Sequence, residues 1–283
     1  MIFKYNILED ISLIDYLNSF YLSKSKIYTL FLENRIKIND KLAKREDLLK
    51  KNDILSIDEN SHIDFSLSDK SIDVIYDDDY LLIINKPQGI IIHDEKENDN
   101  SLSNRVARYY KDNNIDTAIR FAHRLDYDTT GLIIYVKDML TFSYINHFVE
   151  NHEIKRTYRC LVTGHLNKKE GRINAPISGD RHNSKKYLVT KNGKESITDY
   201  KVIKEYDGYS LVELLLKTGR THQIRVHMSY LGHPLLGDSL YGGNNKLIKR
   251  VALHSYKLNL FHPVFKKEIE VICKLPSDMK GLV

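Results

Sequence analysis

Short apolar runs separated by turn residues, with few helical stretches among them, constrain this chain more than any other feature. Runs at 81–84, 132–136, 158–162, 197–203 and 210–216 have strand length, and Ile269, Val271, Cys273 and Leu275 alternate with other residues. A helix is expected at 139–150, where Leu140, Ser143, Tyr144, His147 and Phe148 share a face. Strands do not alternate strictly with helices, and no internal repeat is visible. That argues against a doubly wound parallel sheet and for an α+β chain. With 283 residues and 42% hydrophobic content, the sequence has material for one large domain and a smaller one beside it.

The smaller unit is expected at 1–58. Ile11, Ile14 and Leu17 suggest a first helix, and Ser23 is placed to cap a second that carries Ile27, Leu30, Phe31 and Asn34. Ile36-Lys37-Ile38, a turn at Asn39-Asp40 and Lys41-Leu42 read as a hairpin, and 54–57 as a closing strand. Two helices, a hairpin and a basic face resemble the S4-type RNA-binding domain, through residues 34–41 and Lys51-Asn52-Asp53-Ile54. Asn34, Asp40 and Asn52 stand where that family usually has glycine, and these residue types tolerate left-handed backbone. Polar residues 59–72 read as a linker, and 73–283 as the large domain.

Net charge is a modest +5, so its distribution matters more than its sum. The segment 69–100 is acidic. Residues 24–51 are basic, and 181–194 carry Arg181, Lys185, Lys186, Lys191 and Lys194 with no acid between them. Two basic zones suit contact with a polyanion at two places, or are solvated surface. Cys160 and Cys273 lie in apolar runs and read as core thiols. The opening Met1-Ile2-Phe3-Lys4-Tyr5 lacks the pattern of a secretory leader, and no apolar run spans a membrane, so a cytoplasmic protein is expected; a monomer is favoured, though no residue pattern decides it.

Four elements carry chemistry. His123-Arg124-Leu125-Asp126-Tyr127-Asp128-Thr129-Thr130-Gly131-Leu132 sets Asp126 on a turn before an apolar strand, which suits a rigidly held carboxylate. It equally suits a surface turn in which Asp126 bonds its own backbone. Gly219-Arg220-Thr221-His222-Gln223-Ile224-Arg225-Val226-His227 reads as a helix start with Thr221 as N-cap and Gly232 as the stop. There Arg225 sits at the edge of the buried face and needs an anion, for which Asp126 is the candidate. Lys86 follows a strand stopped by Pro87 and Gly89, where it either touches phosphate or is simply exposed. Tyr158 opens a strand and offers a face to a base or to the core. No metal site is expected: His222 and His227 are five apart and do not share a helical face, and no cysteine joins them.

In order and spacing these elements resemble the RluA-type pseudouridine synthases. The matching residues are Asn85-Lys86-Pro87 with Gly89, His123-Arg124-Leu125-Asp126 with Thr129 and Gly131, Lys155 with Tyr158, and the 219–227 segment. Gly232-His233-Pro234, Gly237-Asp238, Tyr241-Gly242, Leu253-His254 and His262-Pro263 follow, so the similarity covers about 73–275. Thr130 replaces a usual serine, and Asp94 stands after His93 where proline is common. The resemblance implies a mixed, largely antiparallel sheet with flanking helices and a reaction that detaches uracil from C1′ and rejoins it through C5, without cofactor or metal. It implies Asp126 as nucleophile or base, Tyr158 packed on the target base, Arg225 paired with Asp126, and Arg124 filling the gap left by the flipped nucleotide. RNA contacts are expected from Arg124, His123, Lys86, Arg220, His222, Gln223, Arg181, Lys185, Lys186, Arg35 and Lys37. Ribosomal RNA of the large subunit is favoured over transfer RNA. Two rivals stand beside this reading: a silent RNA-binding scaffold, and a small-substrate glycosidase, for which no second acid is evident.

Overall fold

A computed structural model describes residues 1–93 and 100–283; Asp94 lies outside the described residues. In the N-terminal unit, Ser12 and Ser23 accept hydrogen bonds from the N–H groups of Asp15 and Lys26 and so cap helices Leu13–Ser19 and Lys24–Leu32. Strand Ile36–Ile38 pairs with Lys41–Leu42, and Asn39 and Asp40 in the turn have φ of 48° and 65°, as a two-residue hairpin demands. Asn34 and Asn52 are also left-handed, at 54° and 73°. Strand Ile54–Asp58 lies between Ile36–Ile38 and Ile2–Asn6. The last of these is too short and weakly patterned to stand out in the sequence.

This unit is packed onto the larger part. Tyr5, Tyr16 and Phe20 share one apolar cluster with Tyr80, Leu140 and Val264. The Tyr5 hydroxyl donates to Asp138 at 2.6 Å, the Tyr80 hydroxyl donates to the Lys4 carbonyl, and the Tyr21 ring stacks on His147 at 3.6 Å. Glu59, in the stretch expected to be a linker, is buried and accepts from Arg120 at 2.7 Å and from the Met139 N–H. The expectation of an RNA contact from Arg35 is corrected here. Its guanidinium donates to the carbonyls of Asp58 and Glu59 and to Glu33, so its donors close this unit. Lys37 stays exposed.

The large sheet has ten strands. Its main path runs Glu170–Asn174, Ile197–Tyr206, Tyr209–Leu216, Lys155–Thr163, Leu253–His262, Thr130–Val136, Leu81–Lys86, Asp73–Asp77. Among the paired strands of the described residues, only Thr130–Val136 with Leu253–His262 is parallel. That pair meets at Gly131, where φ is 105° and a Cβ would collide with the Ser255 backbone, so only glycine fits. Side chains of Thr130–Val136 alternate between two cores: Ile133 and Tyr135 face one, and Leu132, Ile134 and Val136 face the other. Helices Leu102–Asp112 and Gln223–Tyr230 contribute to the first core, and Met139–Glu150 to the second. The helix at 139–150 has the expected bounds but buries Leu140, Thr141 and Ile145 rather than Ser143 and His147. Cys160 and Cys273 are free, buried thiols. No helix among the described residues is long and apolar enough to cross a membrane.

Candidate active site

The Asp126 turn is held from below. Lys86 is fully buried, and its ammonium donates to the carbonyls of Pro87, Tyr127 and Thr129 at 3.1, 3.0 and 2.9 Å. Burial pushes its pKa down to about 8. The expected phosphate contact is thus corrected: all three donors of Lys86 are spent on backbone carbonyls around the Asp126 turn. The Thr129 N–H bonds the Asp126 carbonyl at 3.1 Å, and the Gly89 N–H bonds that of Tyr127 at 3.0 Å. Thr130 keeps its hydroxyl in use, 2.9 Å from His254 Nδ1.

With the backbone held this way, the Asp126 carboxylate is left uncommitted. Among the described residues it makes no side-chain hydrogen bond, which decides against a self-bonded surface turn. Its side chain is 30% exposed and faces Arg225 Nη1 and His222 Nε2, each 3.8 Å from Oδ2. Arg225 is buried, and its fork is taken by Asp238, with Nε at 2.7 Å and Nη2 at 2.8 Å. The anion that the buried arginine needs is therefore mainly Asp238; Asp126 shares the remaining nitrogen at longer range. The Tyr241 ring lies 5.0 Å from the Arg225 guanidinium. In sequence, Asp238 and Tyr241 stand out only as parts of short motifs, because a contact across thirteen residues and two turns has no local pattern.

The helix after Gly219 begins at Gln223, not after a Thr221 cap. His222 occupies the cap position in left-handed conformation, with φ 57° and no side-chain cap bond. Such a backbone costs about 1 kcal/mol or more and persists where the surroundings fix it. Here the Tyr241 hydroxyl lies 2.9 Å from His222 Nδ1, and the Tyr187 N–H bonds the same hydroxyl. Burial lowers the His222 pKa against the pull of Asp126, so the ring is neutral near pH 7. Gln223 is corrected: it is buried, accepts from Thr218 and the Arg220 N–H, and donates to Ile197 and Thr198, so it braces the helix start and does not reach RNA. His123 is buried in the wall of the cleft. Its Nε2 accepts from the Ile134 N–H at 3.3 Å, and burial beside Arg156 pushes its pKa to about 3, which leaves it uncharged. His227 spends both nitrogens, on Thr198 and the Ala175 carbonyl.

Tyr158 is buried on the cleft side of strand Lys155–Thr163. Beside it, strand Leu253–His262 carries the extra residue, Tyr256, so Thr157 pairs with Lys257 and Tyr158 with Ser255. Burial raises the phenol pKa, so the ring remains neutral. Asp126, Tyr158, Arg225 and His222 line one cleft of about 1110 Å³, with exposed Arg124 and half-buried Arg220 on the same wall. Arg181 and Lys185 are exposed in the loop of hairpin Ile177–Gly179/Tyr187–Val189, and Lys186 leans over Tyr241 at 5.8 Å.

A carboxylate free of hydrogen bonds, a buried tyrosine and several cationic side chains in one cleft suit an enzyme that acts on an anionic substrate. Residues 80–230 match the RNA pseudouridylate synthase family. The chain is 38% identical over 265 residues to the uncharacterized RNA pseudouridine synthase YhcT of Bacillus subtilis, covering 92% of this chain and 88% of that protein. It is 32% identical over 281 residues to ribosomal large subunit pseudouridine synthase D of Escherichia coli, covering 92% and 85%. Among solved structures, human RNA pseudouridylate synthase domain containing 1 gives a TM-score of 0.62 at 26% identity, over 72% of this chain and 83% of that one. The chain belongs to the RluA-type family of RNA pseudouridine synthases, and its mixed, mostly antiparallel sheet is the fold of that family.

Proposed function

We propose that this enzyme isomerises specific uridines in structured RNA, in ribosomal RNA of the large subunit, with Asp126 as the carboxylate that acts at the sugar. The observation that carries the assignment is the free Asp126 carboxylate, 3.8 Å from two cationic or polarisable partners and bonded by neither. Breaking C1′–N1 needs a carboxylate near C1′, either to take the sugar covalently or to remove a sugar proton. Uracil then turns, C5 bonds to C1′, the C5 proton leaves and N1 gains one. The atoms balance without oxidant, reductant or second substrate. Arg225 holds a positive charge 3.8 Å from the Asp126 carboxylate, and Tyr158 gives the turning base a flat neutral face.

A duplex hides C1′ and C5 in the stack, so the uridine must be flipped out. Arg124, exposed at the rim, is the side chain to fill the space left behind. The loop with Arg181 and Lys185, and the S4-like unit with Lys37, hold the backbone through salt-sensitive contacts. The large-subunit target is favoured by the relatives named for that substrate. Mapping pseudouridine in RNA from cells carrying Asp126→Asn tests the reading. The mapped position should revert to uridine; its continued modification would remove Asp126 from the role.

A further inference from the structure

One buried cation in the cleft takes no part in the chemistry above. Arg156 is 7% exposed, yet its Nε is buried without a partner. Among the described residues none hydrogen-bonds or ion-pairs with its guanidinium. A buried arginine without an anion is costly, and it is retained where a ligand supplies the missing charge. The side chain shares a strand and a face with Tyr158, two residues on, so it lies about 7 Å along the cleft from the base platform. Its far end passes beneath Gly219, where a Cβ would come within 3.2 Å of Nη2, so glycine at 219 leaves the guanidinium its place.

The surroundings are cationic as well. Arg220 lies on the same wall, with Nε bonded to the Glu195 carbonyl at 3.0 Å. His152 lines it too, with φ 60° and a buried Nδ1 that has no partner. Burial lowers the His152 pKa, and Arg156 and Arg220 add to that push toward the neutral ring against the smaller pull of Glu195. Glu195 itself is exposed to solvent. On the other side of the cleft, Asp238 is paired with Arg225 and Asp126 faces Arg225 at 3.8 Å.

We infer that Arg156, with His152 and Arg220 at its edge, forms a phosphate subsite that receives one backbone phosphate of the RNA strand beside the flipped uridine. The ligand must carry charge before any bond breaks, because the cation is uncompensated in the resting protein. A phosphate meets that condition, whereas uracil becomes anionic only after C1′–N1 has broken. Guanidinium also matches phosphate in shape, offering two parallel donors. Arg156 is thus a binding residue that fixes the strand relative to Tyr158 and Asp126. This deepens the proposed function: it rests on an RNA substrate but not on which RNA is modified.

The test uses the full-length enzyme and an RNA stem-loop carrying the uridine that mapping assigns to it. Neutral methylphosphonates replace the phosphates one at a time around that uridine, and tritium release from C5-labelled RNA is followed under single-turnover conditions. For the wild-type enzyme one position should cost about 30-fold or more, the loss expected when one partner of a desolvated charge pair is removed. Arg156→Gln should lose a similar factor on all-phosphate RNA, and Arg156→Lys less. Combining Arg156→Gln with the sensitive methylphosphonate should add nothing further, a coupling that a purely structural role would not produce. The slope of log Kd against log salt should fall by about 0.7–0.9, one phosphate contact. Independent, multiplying losses at every position would overturn the inference. So would a wild-type enzyme indifferent to every methylphosphonate, which keeps the test decisive if Arg156→Gln does not fold. No release by wild-type enzyme from all-phosphate RNA would instead count against the proposed function.

Discussion

Arg225 and Arg156 line the same cleft at the same 7% exposure, under opposite electrostatic conditions. Arg225 has its fork on Asp238 and a third nitrogen near Asp126. Arg156 forms no ion pair among the described residues, with Glu150 the other carboxylate lining the cleft besides Asp126. The first wall of the cleft is finished in the free protein, with the Asp126 carboxylate set among groups already paired. The second is finished only by what binds. A preorganised site keeps the geometry of bond breaking fixed, while an unsatisfied cation turns substrate arrival into relief of a cost already carried by the fold.

That contrast breaks most visibly on the paired side. Asp238→Asn leaves Arg225 buried beside a carboxylate that is 3.8 Å away, and should cost about 3–5 kcal/mol in urea unfolding. Wild-type stability in that variant would mean the Asp238 pair is dispensable. Next in size is Lys86→Met, which strips three carbonyls of their donor beneath the Asp126 turn and should cost about 2–3 kcal/mol, with activity falling alongside stability.

A third buried charge, Asp138, sharpens the comparison because it is neither paired nor in the cleft. It caps the helix Met139–Glu150 and takes the Tyr5 hydroxyl, and burial pushes its pKa up to about 6. A folded value above the unfolded one, about 3.9, means the fold favours the protonated acid. The stability it contributes is fully present below pH 4 and is lost as pH rises through 6. Stability curves from pH 4 to 7 should show that decline in the wild type and a flatter line in Asp138→Asn. Parallel curves would refute the assignment. The smallest loss is expected at Arg156→Gln, which removes an unpaired buried cation and leaves no partner behind, so its unfolding free energy should equal or exceed that of wild type. A loss comparable to that of Asp238→Asn would erase the distinction between the two walls.

What was legible in the sequence follows from how local each signal is. The strands at 81–86, 130–136 and 209–216 are continuous apolar runs and declare themselves, and Ser23 and the Asn39-Asp40 turn act over three or four residues. Asp126, Tyr158 and Arg225 emerge through spacing and family resemblance. Partner choice does not, because burial reverses the meaning of charge. Lys86, Arg35 and Gln223 look like RNA ligands in a string of letters, and in the fold each is consumed by backbone carbonyls or neighbouring side chains. Arg156 shows the converse. It sits beside Lys155 as one more basic residue until its burial and missing partner are seen together.

The most direct measurement compares Asp126→Asn with wild type on the same RNA, reading affinity and single-turnover pseudouridine formation side by side. The substitution is nearly isosteric and touches no hydrogen bond of the described fold, so the expected result is unchanged RNA affinity with product formation reduced by about 10³-fold or more. Pseudouridine formed at the wild-type rate by Asp126→Asn would contradict the claim that this carboxylate breaks the glycosidic bond.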